Sequence, residues 1–253
     1  DGLKLIPGVP AMRLFAHLLL VMLIMISPAS ADEMPSAVLE TAAGLLPGEA
    51  PDAVSAAPVK GFYQAIYGPK VVYISADGKY LLYGDLIDLD KNVNLTEDAR
   101  KTGRVEILGQ LDEAGMVVFE PARVTSTITV FTDTSCGYCV KLHREMATIN
   151  AGGVKVRYLG YPRAGTQSPT FETLVSVWCA DDPQQAMTDA KAGLSIEKKS
   201  CPTAIGRHIE AAQLVGVRGT PTIVLQDGQV IPGYVPAGEL VEIANAAAEQ
   251  AVN

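Results

Sequence analysis

Two thiols spaced as Cys136-Gly137-Tyr138-Cys139 can perform thiol–disulfide exchange, in which a thiolate attacks a disulfide sulfur and a second thiol completes or reverses the transfer. The motif gains specificity from its position. It follows the β-rich run 125–131 and opens a helical pattern with Leu142, Met146 and Ile149 on one apolar face. At a helix start the first-turn amides lack intrahelical partners and the macrodipole adds partial positive charge, so a thiolate at Cys136 is stabilised. A free thiol has a pKa of about 8.5, and sites of this kind reach ~3.5–7.5. A fall to about 6 corresponds to roughly 3.4 kcal/mol of differential stabilisation. Cys139, one turn further in, is expected to be more buried and higher in pKa. Cys136 is therefore the expected nucleophile, bare enough to meet a foreign disulfide, and Cys139 the resolving thiol. Gly137 and Tyr138 tune the pair and border the substrate.

Three other readings of the motif compete. A zinc site on Cys136, Cys139 and His143 lacks a fourth ligand at the usual spacing. A c-type haem attachment needs His where Val140 stands. An inert bridge conflicts with a helix-start thiol, whose low pKa makes the bond labile. His143 is read as an ordinary helix residue, and no metal or cofactor is expected. Cys179 and Cys201, 22 positions apart, flank helical segments instead of following a strand. They are read as a structural disulfide closing a loop worth ~3 kcal/mol, with a second redox pair as the alternative. Trp178 is expected to pack over that bridge.

The elements that must hold these residues begin with a short amphipathic helix over 32–48 and a small-residue linker between Pro51 and Pro58. Runs 71–75 and 80–84 flank Ala76-Asp77-Gly78-Lys79, a strong hairpin signal. Residues 86–89 extend that sheet. Asn94-Leu95-Thr96-Glu97 fits a capping box and starts a linker helix to about Glu113, with Leu108 and Leu111 on one side and Gly103 as a weak point. Pro121 closes the linker. Then come a strand at 125–131, the Cys136 helix, a strand at 154–159, helices at 169–179 and 183–192, and a third helix to about Val215. A hairpin at 222–231 and a last helix over 237–248 follow. Strand–helix–strand–helices–hairpin–helix is the thioredoxin order with a helical insertion. In that order Thr220-Pro221 falls where a cis-proline faces the active cysteine. Its value is to expose the Thr220 backbone to an extended substrate segment, which pairs with it as an added strand. The alternative is a trans-proline at a strand start.

Composition sets the outer limits. The chain has 253 residues, 48% hydrophobic and 19% charged, which excludes a disordered chain. The formal net charge of -8 argues against a nucleic-acid partner. Four cysteines are too few for a disulfide-dense mini-scaffold. Met12-Arg13, the apolar run 14–26, Pro28 and Ala29-Ser30-Ala31 form a secretory signal pattern, with cleavage expected after Ala31 and residues 1–11 upstream of the start. The apolar run is shorter than the ~20 residues a membrane span needs. Export places the protein in the periplasm, where disulfides persist.

Phe131-Thr132-Asp133 leading into Cys136-Gly137-Tyr138-Cys139 and Lys141-Leu142-His143 resembles the active-site segment of the DsbC/DsbG family of periplasmic disulfide isomerases. The resemblance continues through Val156-Arg157-Tyr158-Leu159, Pro162-Arg163, Val177-Trp178-Cys179-Ala180, Ser200-Cys201, Gly219-Thr220-Pro221 and Pro232-Gly233-Tyr234. It reaches back to Val59-Lys60-Gly61, Tyr73-Ile74 and Asp77-Gly78-Lys79. Residues 94–121 resemble the family least. The resemblance implies an α+β chain: a small cystatin-like dimerisation domain (32–92), a linker helix (93–123) and a thioredoxin-like catalytic domain with a helical insertion (124–253). It further implies a V-shaped homodimer with an apolar cleft, reshuffling of wrong disulfides in misfolded or mis-oxidised secreted proteins, and chaperone activity. A membrane reductase of the DsbD type would keep the active pair reduced. Three rivals stand beside this reading: a DsbG-like reductase of sulfenylated thiols, a dimeric holdase with incidental cysteines, and a thiol oxidase.

Overall fold

The computed structural model describes residues 34–252. The export signal read in residues 1–31, with its cleavage after Ala31, lies outside the described residues. The N-terminal part opens with α1 (Ser36–Leu45), followed by β1 (Ala53–Ala56), β2 (Phe62–Tyr67), β3 (Lys70–Ser75) and β4 (Leu81–Leu82). These strands form an antiparallel sheet in the order β1-β2-β3-β4. The Asp77-Gly78 hairpin forms, pairing Tyr73 with Leu82 and Ile74 with Leu81. Gly78 takes a positive φ of 69°. A Cβ there would stand 2.7 Å from the Ala37 carbonyl, so glycine also lets the turn lie against α1. Val38 and Ala42 of α1 pack on Ala65, Tyr67 and Ile74 to make a small core.

Three sequence expectations change here. The small-residue linker after Pro51 contains β1, and β2 was not foreseen at all. Residues 86–89 do not extend the sheet: β5 (Ile87–Asp88) pairs instead with β6 (Val93–Asn94) in a separate ladder. The tertiary partner decides these cases, because Ala53-Val54-Ser55-Ala56 has little β-preference of its own and is held by pairing to β2.

The linker helix α2 (Leu95–Gly109) starts as expected, with the Asn94 side chain accepting from the Glu97 N–H at 3.0 Å. Glu97 does not complete the box; its carboxylate is taken by Arg104. Gly103 is no weak point. A Cβ there would lie 2.3 Å from the Gly68 backbone, so glycine lets α2 close on the β2–β3 turn. Gly228 plays the same part on the other side, where a Cβ would meet the Lys101 carbonyl at 2.2 Å.

The remaining chain builds a five-stranded sheet in the order β11-β10-β8-β9-β7. Its strands are β7 (Val117–Phe119), β8 (Ser126–Thr132), β9 (Val154–Gly160), β10 (Thr222–Val224) and β11 (Val230–Pro232). β8 and β9 are parallel, as a helical crossover requires, and the other pairs are antiparallel. β7 was read as part of the linker; three residues between Gly115 and Pro121 give too short a period to detect, and pairing with β9 makes them a strand. The expected single helix after Cys136 is two, α3 (Gly137–Arg144) and α4 (Met146–Ala151), broken at Glu145. The Glu145 carboxylate there accepts from Tyr234 and from the Ala237 N–H. The helices α5 (Pro169–Trp178), α6 (Pro183–Lys191), α7 (Ile205–Val215) and α8 (Ala237–Val252) complete the chain.

Alternation along β8 fills both faces. Ile128 and Val130 join one core with Leu142, Met187 and Leu240, while Phe131 joins a second with Leu159, Ala212 and Leu108. Leu108 brings the end of α2 into that second core. Trp178 does not simply cover the nearby bridge: its indole donates to the Gly115 carbonyl at 2.8 Å and its ring lies 5.8 Å from His208.

Candidate active site

Strand β8 ends at Thr132, and the chain turns through Asp133-Thr134-Ser135 to place Cys136 as the N-cap of α3. Asp133 fixes that turn. Its buried carboxylate accepts from the Ser135 N–H and hydroxyl, both at 2.7 Å, and from Arg163 N–H and Nε at 3.0 and 3.2 Å. Burial alone would raise its pKa, but the bonds from Arg163 and Ser135 hold it below the usual carboxylate range.

Cys136 and Cys139 are both free thiols. The expectation of a bare sulfur is not met: Cys136 is 3% exposed, and its Sγ donates to the Thr220 carbonyl at 3.1 Å. The loop before β10 covers it. Thr220-Pro221 is a cis peptide, and Pro221 is buried beside the sulfur's carbonyl partner. Burial pushes the Cys136 pKa up, but Thr220, the N–H and thiol of Cys139, and the charge of Arg163 outweigh it, so the pKa falls below the ordinary thiol value. The Thr220 hydroxyl is buried with no other partner, which leaves it free to donate to a thiolate at Cys136. Cys139 is fully buried, and burial pushes its thiol up. The two thiols are therefore shifted in opposite directions, Cys136 toward the thiolate and Cys139 away from it.

Gly137 is exposed with open space around it. Tyr138 is 64% exposed and stacks on Tyr234, over whose ring Lys141 Nζ sits at 4.4 Å. An open groove of about 940 Å³ runs beside Thr220 and Pro221, walled by Glu97 and Lys101 of α2 and by Arg218. It leaves room for an extended chain next to the Thr220 backbone.

Cys179 and Cys201 are joined by a disulfide, at the end of α5 and in the irregular segment before α7. His143 is a buried core residue whose ring nitrogens face the Tyr158 hydroxyl at 3.2 Å and the Thr188 hydroxyl at 3.1 Å, which occupies the atoms a zinc ion would need. Burial, then the charge of Lys191, pushes its pKa down to about 4.

Sequence reasoning assigned no role to Arg163, to the Thr220 hydroxyl or to Lys191. Asp133 and Arg163 were visible only as part of the family resemblance. For Lys191 the signal was its spacing, one turn after Met187, the other buried residue of α6.

A family profile described as the disulfide bond isomerase protein N-terminal domain matches residues 29–97, and one described as a thioredoxin-like domain matches 113–248. The thiol:disulfide interchange protein DsbC of Dickeya dadantii is 40% identical over 195 residues, covering 76% of this chain and 80% of that protein. Its Escherichia coli K12 counterpart is 39% identical over 191 residues, covering 75% and 79%. The Haemophilus influenzae DsbC is 32% identical over 197 residues, covering 74% and 81%. The fold around Cys136, the profiles at both ends and these relatives agree: the chain belongs to the DsbC family of thiol:disulfide interchange proteins.

Proposed function

We propose that this protein is a periplasmic protein disulfide isomerase, with Cys136 as nucleophile and Cys139 as resolving thiol. The observation that carries the reading is the placement of the Cys136 sulfur at a helix N-cap, 3.1 Å from the Thr220 carbonyl, with its pKa lowered. An extended substrate segment adds to the Thr220 edge, and a backbone N–H of the substrate replaces the Cys136 thiol as donor to that carbonyl. The freed thiolate attacks a substrate disulfide sulfur, one substrate sulfur leaves as a thiolate, and a mixed disulfide forms. A second substrate thiolate then displaces Cys136 and completes a reshuffling, or Cys139 displaces the substrate and leaves it reduced. Isomerisation requires the reduced pair, so a membrane reductase of the DsbD type is the partner that restores it.

Thr220, Pro221, Gly137 and Tyr138 border the substrate, and the Cys179–Cys201 bond has a structural role. Homodimerisation runs through the N-terminal sheet, where Tyr80, Leu81, Leu82 and Tyr83 of the β4 edge are exposed. Chaperone activity uses apolar surface held between the two copies. Export by the segment 1–31, cleaved after Ala31, delivers the protein to the periplasm. The relatives described above carry the DsbC name, which disfavours the sulfenyl-reductase reading.

Reactivation of a scrambled multi-disulfide protein tests the function. Wild type should restore activity, and Cys136→Ser should perform no better than buffer. Equal reactivation by the two proteins would remove Cys136 from the mechanism.

A further inference from the structure

Lys191, the last residue of α6, is 4% exposed, yet its ammonium has no place in the mechanism so far. A buried cation is costly unless something on the inside answers its charge. The hydrogen bonds of Nζ go to neutral oxygens, the Thr132 hydroxyl at 2.8 Å and the Asp133 carbonyl at 3.5 Å. Nζ also stands 5.4 Å from the Tyr158 ring centroid. The Asp133 carboxylate is already committed to Arg163 and Ser135. The other titratable groups that face Lys191 are Cys139, Cys136 and His143 of α3 and Tyr158 of β9. Of these, His143 is held neutral and Tyr158 is pushed far up by burial. The sulfurs remain as the groups that can carry a compensating negative charge.

Thr132 links the two. Its oxygen accepts from Lys191, so its own hydroxyl hydrogen is free to donate toward Cys139, whose thiolate it favours. We propose that Lys191 is a positioning residue for the resolving step, its ammonium holding the Thr132 hydroxyl toward Cys139 and balancing the negative charge of the Cys139 thiolate. This rests on the interchange reading and extends it to the half-reaction that frees a stalled substrate. Cys139 gives up its proton to the surrounding water, and the Lys191 ammonium offsets the negative charge left on the sulfur. The Cys139 thiolate attacks Cys136 Sγ, the Cys136–substrate bond breaks, and the substrate sulfur leaves with the electron pair as a thiolate. The cysteine pair is oxidised by two electrons and the substrate sulfur reduced. Burial pushes Lys191 down to about 8, with charge on Cys139, Cys136 and Asp133 pulling the other way, so the group still carries its positive charge at neutral pH. Reciprocally, the Lys191 charge is the strongest influence opposing the burial of Cys139.

Ellman's reagent at one equivalent separates the two half-reactions. Cys136 attack releases a first thionitrobenzoate, and Cys139 attack on the resulting adduct releases a second. With Lys191→Met, the pH profile of the second release should move up by about one unit or more. A one-unit rise cuts the thiolate fraction ~tenfold while raising its intrinsic reactivity ~threefold, so at neutral pH the release slows about threefold. The first release should change by less. Thr132→Val keeps the lysine, removes the bridge and should move the same profile in the same direction; it also decides the matter if Lys191→Met does not fold. A second release with an unmoved pH profile in both variants overturns the Lys191 proposal alone. Absence of the first release from wild type overturns the interchange reading instead.

Discussion

Around the active pair, the C-terminal sheet buries groups that ordinarily face water: Asp133, His143, Lys191 and His208. Around β4, the N-terminal sheet exposes groups that are ordinarily buried: Tyr80, Leu82, Tyr83 and Leu89, with Tyr83 75% exposed. The first region can afford enclosed polarity because a two-faced sheet with helices on both sides supplies a large core and hydrogen-bond partners. The second has one helix, a core of a few residues and an open sheet edge, so it needs more apolar contact than the chain itself gives. The first region holds enclosed partners for thiol chemistry, and the second offers the open apolar edge that the proposed association would use.

The hardest test of this contrast is Cys136→Ser, which should drop isomerase turnover to background while leaving the oligomeric state, read by sedimentation, unchanged. Cys139→Ala should keep part of the shuffling activity and accumulate mixed disulfides, visible by non-reducing electrophoresis. A turnover loss that tracked dimer loss would merge the two regions into one functional unit.

Acid should act on the C-terminal region first. His143 and His208 are each pushed down to about 4, His143 by burial and Lys191, His208 by burial and Arg207. An unfolded chain binds protons at these rings near pH 6.5, where the folded chain does not. Their contribution to stability is thus present above about pH 6.5 and lost as pH falls toward 4. Each ring accounts for up to about 3 kcal/mol over that window. Denaturant midpoints between pH 7 and 4.5 should fall accordingly, with loss of Trp178 fluorescence structure. A flat midpoint would show that the rings are not held neutral.

At the joint between the regions, Gly228→Ala should cost about 2–3 kcal/mol. The residue has a φ of 87° and a Cβ would meet the Lys101 carbonyl at 2.2 Å, so α2 and the β10–β11 turn must separate. Urea unfolding measures this, and a cost below ~0.5 kcal/mol would mean that the contact is not maintained in solution. The smallest effect is expected at the exposed edge. Leu82→Asp should weaken self-association roughly tenfold, about 1.4 kcal/mol, by analytical ultracentrifugation, with Cys136 alkylation rates unchanged.

Much of this was legible in the residues. Asp77-Gly78 marked a hairpin because few residues tolerate its turn, and Asn94 marked a helix start because its side chain caps a free amide. The helix start at Cys136 and the strands around it follow from local pattern in the same way, whereas the Thr220-Pro221 turn follows only from the order of the elements. Local pattern failed at β1 and β7, where pairing alone makes a strand, and at Gly103, where a helix-weakening residue serves a close approach to Gly68. Which thiol stands at the helix cap, and which lies a turn deeper, is written in the order of four residues. That Cys136 lies under the Thr220 carbonyl, and that an ammonium from α6 is buried against the Thr132 hydroxyl, is decided by strands and helices distant in the chain. Short-range spacing fixes dihedral choices and dipole direction; solvent exclusion and charge balance depend on what the fold brings alongside.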